Sequence, residues 1–152
     1  MGVSQLVEST DFQPTDKNFE SKVHESFAKQ PFMKTLGAIL TKVTPGYCEI
    51  RLPFHEQLTQ QDGFFHAGVI GTIADNAGGY AAHSLMPEGA SVLTVEYKLN
   101  LLTPGCGDYL VARGRVVRQG RKLTVCLSEV SSVKDGQEKI CAMAVVTLIC
   151  IQ

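Results

Sequence analysis

Apolar and polar positions along the chain follow two rhythms. Between residues 91 and 102, Val95, Tyr97, Leu99 and Leu101 alternate with Thr94, Glu96, Lys98 and Asn100, the period of two expected of a strand with one covered face. Runs at 36–43 and 47–54 are strand-like and meet at Thr44-Pro45-Gly46, a turn signal. Residues 108–120 and 121–133 give two more strands meeting at Gln119-Gly120, and Lys134-Asp135-Gly136-Gln137 predicts a hairpin into 139–151. That last run is almost continuously apolar and predicts a central strand. The other rhythm is helical. Residues 67–84 form one long stretch of small and apolar residues ended by Pro87 and Gly89. A shorter helix, capped by Asn18 or Ser21, is expected to run through Phe27 to Met33. Residues 1–18 read as a loosely held lead-in, and 19–152 as a single domain.

The predicted order is a short helix, two strands, a long helix and four strands, an α+β arrangement. Strands of ten residues reach about 33 Å, and a helix over 67–84 spans about 27 Å. A mostly antiparallel sheet of about six strands can therefore wrap lengthwise around the helix.

Composition narrows the function classes. The 152 residues carry 14 Lys+Arg against 15 Asp+Glu, a formal net charge of −1, so nothing draws the whole chain to nucleic acid or to an anionic membrane. The stretch 67–82 contains Asp75, Asn76 and several glycines and does not read as a membrane span. Gly2 is followed by Leu6 where a myristoylation signal needs Ser or Thr, and no secretory signal pattern opens the chain. Five cysteines, odd in number and without C-x-x-C spacing, predict free thiols in a reducing, cytoplasmic setting. Four scattered histidines without acidic companions predict no metal site, and no cofactor is expected. His55 and His83 read as surface or packing residues.

The long helix holds the candidate chemistry. On a helical wheel Gly68, Gly71, Thr72, Asp75, Gly78, Gly79 and Ala82 share one side. Each glycine costs a helix roughly 1 kcal/mol relative to alanine, which calls for close approach by a backbone or a ligand. A carboxylate among such small residues is desolvated, a common feature of functional carboxylates. At His66-Ala67-Gly68 a loop gives way to helix, and the first free N–H groups there could stabilise an oxyanion. Asp75 lies seven residues beyond Gly68, about 10 Å along the axis, too far for one carbonyl to meet both. Two copies with antiparallel helices would bring Asp75 of one to the helix start of the other, which predicts an obligate dimer with two composite sites. Arg113, Arg115, Arg118, Arg121 and Lys122 form the densest basic cluster. They are candidates for a solvated strand face or for holding phosphates, with Arg113, Arg115, Arg121 and Lys122 the preferred phosphate ligands.

The segments LTQQDGFFHAGVIGTIADNAGGYAAHS, SVLTVEYKLNLLTPG and GRVVRQGRKLTVCLSEV resemble the hotdog-fold acyl-CoA thioesterases of the phenylacetic-acid-degradation type, from about Phe32 to the C-terminus. The most specific part is H-x-G-(x)6-D. The resemblance implies a hotdog fold, acyl-CoA as substrate, a homodimer and usually a dimer of dimers. It places the catalytic carboxylate at Asp75, as general base or nucleophile, and the oxyanion amide at Gly68 beside His66. Gln60 stands where the family usually has Asn, and Thr94 matches the hydroxyl on the strand after the helix. Ala67 replaces the middle glycine of the usual His-Gly-Gly. A hotdog dehydratase of hydroxyacyl thioesters and a non-catalytic acyl-CoA-binding module are the alternatives. The spacing of Asp75 disfavours the first, and the presence of the carboxylate disfavours the second.

Overall fold

The structure, a computed structural model, describes residues 12–152. Two short helices open it, α1 (Phe19–Lys29) and α2 (Pro31–Leu36). The single helix expected here breaks because Pro31 restricts Gln30 to extended backbone, with φ −75° and ψ 112°. The hairpin of β1 (Ile39–Thr44) and β2 (Tyr47–Pro53) follows, then a 3-10 turn at Glu56–Leu58 and the long helix α3 (Ala67–His83). Four strands complete the chain: β3 (Ser91–Leu101), β4 (Tyr109–Gln119), β5 (Leu123–Lys134) and β6 (Gln137–Ile151). They form one six-stranded sheet in the order β1-β2-β4-β5-β6-β3, every neighbouring pair antiparallel. A sheet curled round one long helix is the hotdog fold that the sequence implies.

Two expectations change. The first concerns the lead-in, of which residues 1–11 lie outside the described residues. Residues 12–18 are tied down: the Thr15 hydroxyl donates to the Leu85 carbonyl at 3.1 Å, and buried Asp16 pairs with Lys22 at 3.4 Å. Asn18 holds the N-cap position, as one of the two residues expected there, but its side chain makes no capping hydrogen bond; its own N–H donates to Asp16 Oδ1 at 2.8 Å. The second concerns β6, which is one strand from the edge rather than central.

The glycines of α3 meet the close approach expected of them. A Cβ on Gly78 would press on Ser128 and Val146 at 3.1 Å, and one on Gly79 would touch Leu148 at 3.5 Å. These glycines therefore let α3 settle onto its own sheet. The sheet reciprocates at Gly114, where a Cβ would lie 2.5 Å from the Gly78 nitrogen and nearer still to the Ala77 carbonyl. Ile73, Ala74, Ala77 and Ala81 fill the seam between helix and sheet with no exposed surface.

The strand β3 lies at the border of the sheet, with β6 as its sole strand neighbour among the described residues. Leu93, Val95, Tyr97 and Leu101 are each about half exposed on it. An eleven-residue strand with exposed apolar side chains and one side unpaired among the described residues invites another strand.

Candidate active site

Asp75 sits in the middle of α3, half-buried, facing β3. The Thr94 hydroxyl donates to its Oδ1 at 2.8 Å. That contact depends on an irregularity in the strand. Thr94 is opposite Leu148 and Glu96 opposite Thr147, so Val95 is an extra residue bulged out of the ladder. Strict alternation would put Thr94 on the face opposite Tyr97 and Leu99. The bulge resets the alternation, turns Thr94 inward and leaves Glu96 outward. Burial raises the Asp75 pKa above the ordinary carboxylate value, and the Thr94 hydrogen bond offsets part of that rise.

Asp75 and Thr94 line a cavity of about 320 Å³ together with Ser26, Gln30, Tyr80 and His83. None of these four was singled out from the sequence as a site residue. Gln30 carried the one available signal, as the residue fixed in extended backbone before Pro31.

The helix start forms a second, separate group. His66 caps α3 with its own ring: Nδ1 accepts from the Gly68 N–H at 2.9 Å. The N–H expected to receive an oxyanion is therefore occupied by the His66 ring. Ala67 lies in the first helical turn, after an extended His66 with φ −63° and ψ 138°, so no left-handed backbone is demanded of it. Gln60 and Ala67 line a different cavity of about 380 Å³ with Phe64, Phe65, Ile70 and Leu101. The Gln60 side chain folds back on its own turn, where its Oε1 accepts from the Asp62 N–H. Thus the structure joins Asp75 with Thr94, and Gln60 with the helix start. It does not join these two groups within one chain.

The basic cluster also divides. On the outer face of the sheet Arg113 donates to Glu49 at 2.9 Å and pairs with Glu138, and Arg115 pairs with Glu129 at 3.1 Å. Their guanidinium forks are filled by carboxylates. Arg121 and Lys122 lie at the β4–β5 turn, beside a groove shared with Met86, Pro87 and Cys150, and take part in no ion pair among the described residues. His83 is buried, with its ring 6.1 Å from that of Tyr80, and exposed His55 accepts from the Gln57 N–H. All five cysteines are free, and no helix among the described residues is long and apolar enough to cross a membrane.

Residues 62–139 match the Thioesterase superfamily. A protein of Saccharolobus solfataricus, provisionally named an esterase, is 32% identical over 127 residues, covering 84% of this chain and 82% of that one. Among solved structures, a thioesterase family protein from Silicibacter pomeroyi superposes with a TM-score of 0.86 at 46% identity, covering 88% of this chain and 98% of that one. The PaaI protein from the phenylacetic acid degradation operon of E. coli superposes with a TM-score of 0.79 over 91% of this chain and 96% of its own; at 23% identity that likeness concerns the fold alone.

Proposed function

Because the chain belongs to the thioesterase superfamily, we propose that it hydrolyses an acyl-CoA thioester to the free acid and CoA, in a site shared by two copies of itself. The observation that carries this reading is the Thr94–Asp75 contact, a half-buried carboxylate aimed by a hydroxyl along the wall of a cavity. A carboxylate with its pKa raised by burial suits a general base that takes a proton from water, or a nucleophile that attacks the thioester carbonyl. The same motif supports the phenylacetic-acid-degradation type within the family, and free thiols support a cytoplasmic setting.

The second half of the site is the start of α3 in the neighbouring copy. Asp75 and Gly68 are about 10 Å apart along one helix, and the border strand β3, which carries Thr94, is open to another copy. Pairing there would set two α3 helices side by side and bring each carboxylate to the other's Gly68. The thioester oxygen must then share or displace the His66 ring at the Gly68 N–H, so the carbonyl gains the difference between the two acceptors rather than a whole hydrogen bond. Gln60 lies where it can orient the thioester or a water once released from Asp62. We assign the CoA phosphates to Arg121 and Lys122, since Arg113 and Arg115 are already paired.

The test is release of free thiol from a panel of acyl-CoAs. Asp75→Asn abolishes it while sedimentation still shows the dimer. Wild-type turnover in that variant would end the assignment.

A further inference from the structure

The cavity behind Asp75 is walled by polar groups from α1, the α1–α2 junction, α3 and β3, which is unexpected for a pocket meant for a plain hydrocarbon. Tyr80, only 4% exposed, points its phenol at two residues of α1 and the α1–α2 junction. Gln30 Nε2 donates to the Tyr80 oxygen at 2.7 Å, and Ser26 Oγ lies 3.3 Å from it. Gln30 occupies one lone pair of the phenol, which leaves its hydrogen and its other lone pair for Ser26 or for a guest. All three residues line the same cavity as Asp75 and Thr94. Two more acceptors, Asn76 Oδ1 and His83 Nδ1, belong to residues of this wall and have no partner among the described residues. His83 faces the Ala90 carbonyl with Nε2 at 3.1 Å, so its proton sits there and Nδ1 holds a lone pair. Tyr80 follows Asp75 by five residues, about 7.5 Å along the helix. A volume of about 320 Å³ is at the small end for a ligand pocket.

The geometry points to this cavity as the acyl subsite, with Tyr80, held by Gln30 and Ser26, selecting compact acyl groups that carry a hydroxyl at their far end over unsubstituted chains of equal length. This rests on the thioester-hydrolase reading above. The acyl carbonyl would lie at Asp75 and the distal hydroxyl at the phenol, and the α1–α2 junction would close the pocket against longer chains. A site built to hydrogen-bond a hydroxyl rejects the analogue that lacks it, because its own polar groups are left unpaired.

The experiment compares 6-hydroxyhexanoyl-CoA with heptanoyl-CoA, which exchange a hydroxyl for a methyl group. Turnover is followed by thiol release, and binding by calorimetry with the non-hydrolysable CoA thioethers of the same two chains. The hydroxylated chain is expected to be preferred roughly fivefold to tenfold in both kcat/KM and affinity, the effect of one or two hydrogen bonds. In Tyr80→Phe, which keeps the ring, both ratios fall towards one. Gln30→Leu, which leaves the phenol in place but unheld, lowers them less and guards against a folding defect at Tyr80. Equal use of the two chains by the wild-type protein, or an undiminished preference in Tyr80→Phe, overturns the subsite and leaves hydrolysis standing. A thioether preference without thiol release from either ester overturns the hydrolase reading and leaves the subsite standing.

Discussion

Replacing Asp75 by Asn is expected to stabilise the protein at neutral pH while removing its activity. Burial holds the Asp75 carboxyl above its ordinary value of 3.8, and Thr94 undoes only part of that. A carboxyl with a raised native pKa binds its proton more tightly when folded than when unfolded. Its contribution to stability is full below pH 3.8 and is lost as the pH rises through the native value. At neutral pH the ionised side chain therefore works against folding. Asn has the same shape and keeps an oxygen to accept from Thr94, but it carries no charge. The group is only half-buried, and the positive helix start of a neighbouring copy would offset part of the penalty. The expected gain is thus about 1 kcal/mol, or roughly 2–4 °C in melting temperature for a chain of this length. Thermal melts of wild type and Asp75→Asn at matched protein concentration, between pH 3 and pH 8, give the measurement. The two curves should meet at the acid end and separate as the pH rises. A variant less stable than wild type at neutral pH, or a gap indifferent to pH, would refute the reasoning.

Gly114→Ala forces a methyl group into the backbone of α3 and should cost about 3 kcal/mol, read as a lower urea midpoint at unchanged slope. His66→Ala should lose the helix cap and about 1 kcal/mol, and His66→Ser should restore stability; activity that stays low in the Ser variant would assign the ring a part in the chemistry beyond capping. Leu93→Lys with Val95→Lys charges the open border of the sheet, and sedimentation should then show monomers that release no thiol. Reversing charge at Arg121 and Lys122 should raise KM for an acyl-CoA by about tenfold or more, but not for the matching acyl-pantetheine, which lacks the nucleotide phosphates.

Much of the fold was legible because turns and periods coincide in this chain. All six strands and the long helix fall within a few residues of their sequence positions. The misplacements share a cause: the sequence pattern reports that a residue is covered, not what covers it. The glycines of α3 announced close approach, and the approaching surface is the sheet's own Gly114, Val146 and Leu148. The apolar run of β6 announced a strand covered on both sides, and its place beside β3 is central only if a second sheet continues beyond that border. The carboxylate and the helix start were readable as chemistry because helix geometry fixes their separation. The ion pairs that occupy Arg113 and Arg115 were not, since Glu49, Glu129 and Glu138 reach them only through strand register. Tyr80 and Gln30 were hidden for a related reason: 50 residues separate the two ends of their hydrogen bond.

The extra residue at Val95 has an evolutionary consequence. Deleting Val95 itself would leave a regular strand with Thr94 still opposite Leu148 and still beside Asp75. Smoothing the bulge at unchanged length would instead slide Val95 into the place Thr94 now holds, leaving Asp75 intact but facing an aliphatic group. A gene could thus lose the aiming hydroxyl through substitutions that alter only how this strand pairs, outside the acidic motif. Descendants of such an event would keep every signature residue of the helix. For relatives of this chain, the presence of the bulge is therefore as informative about catalysis as the carboxylate itself.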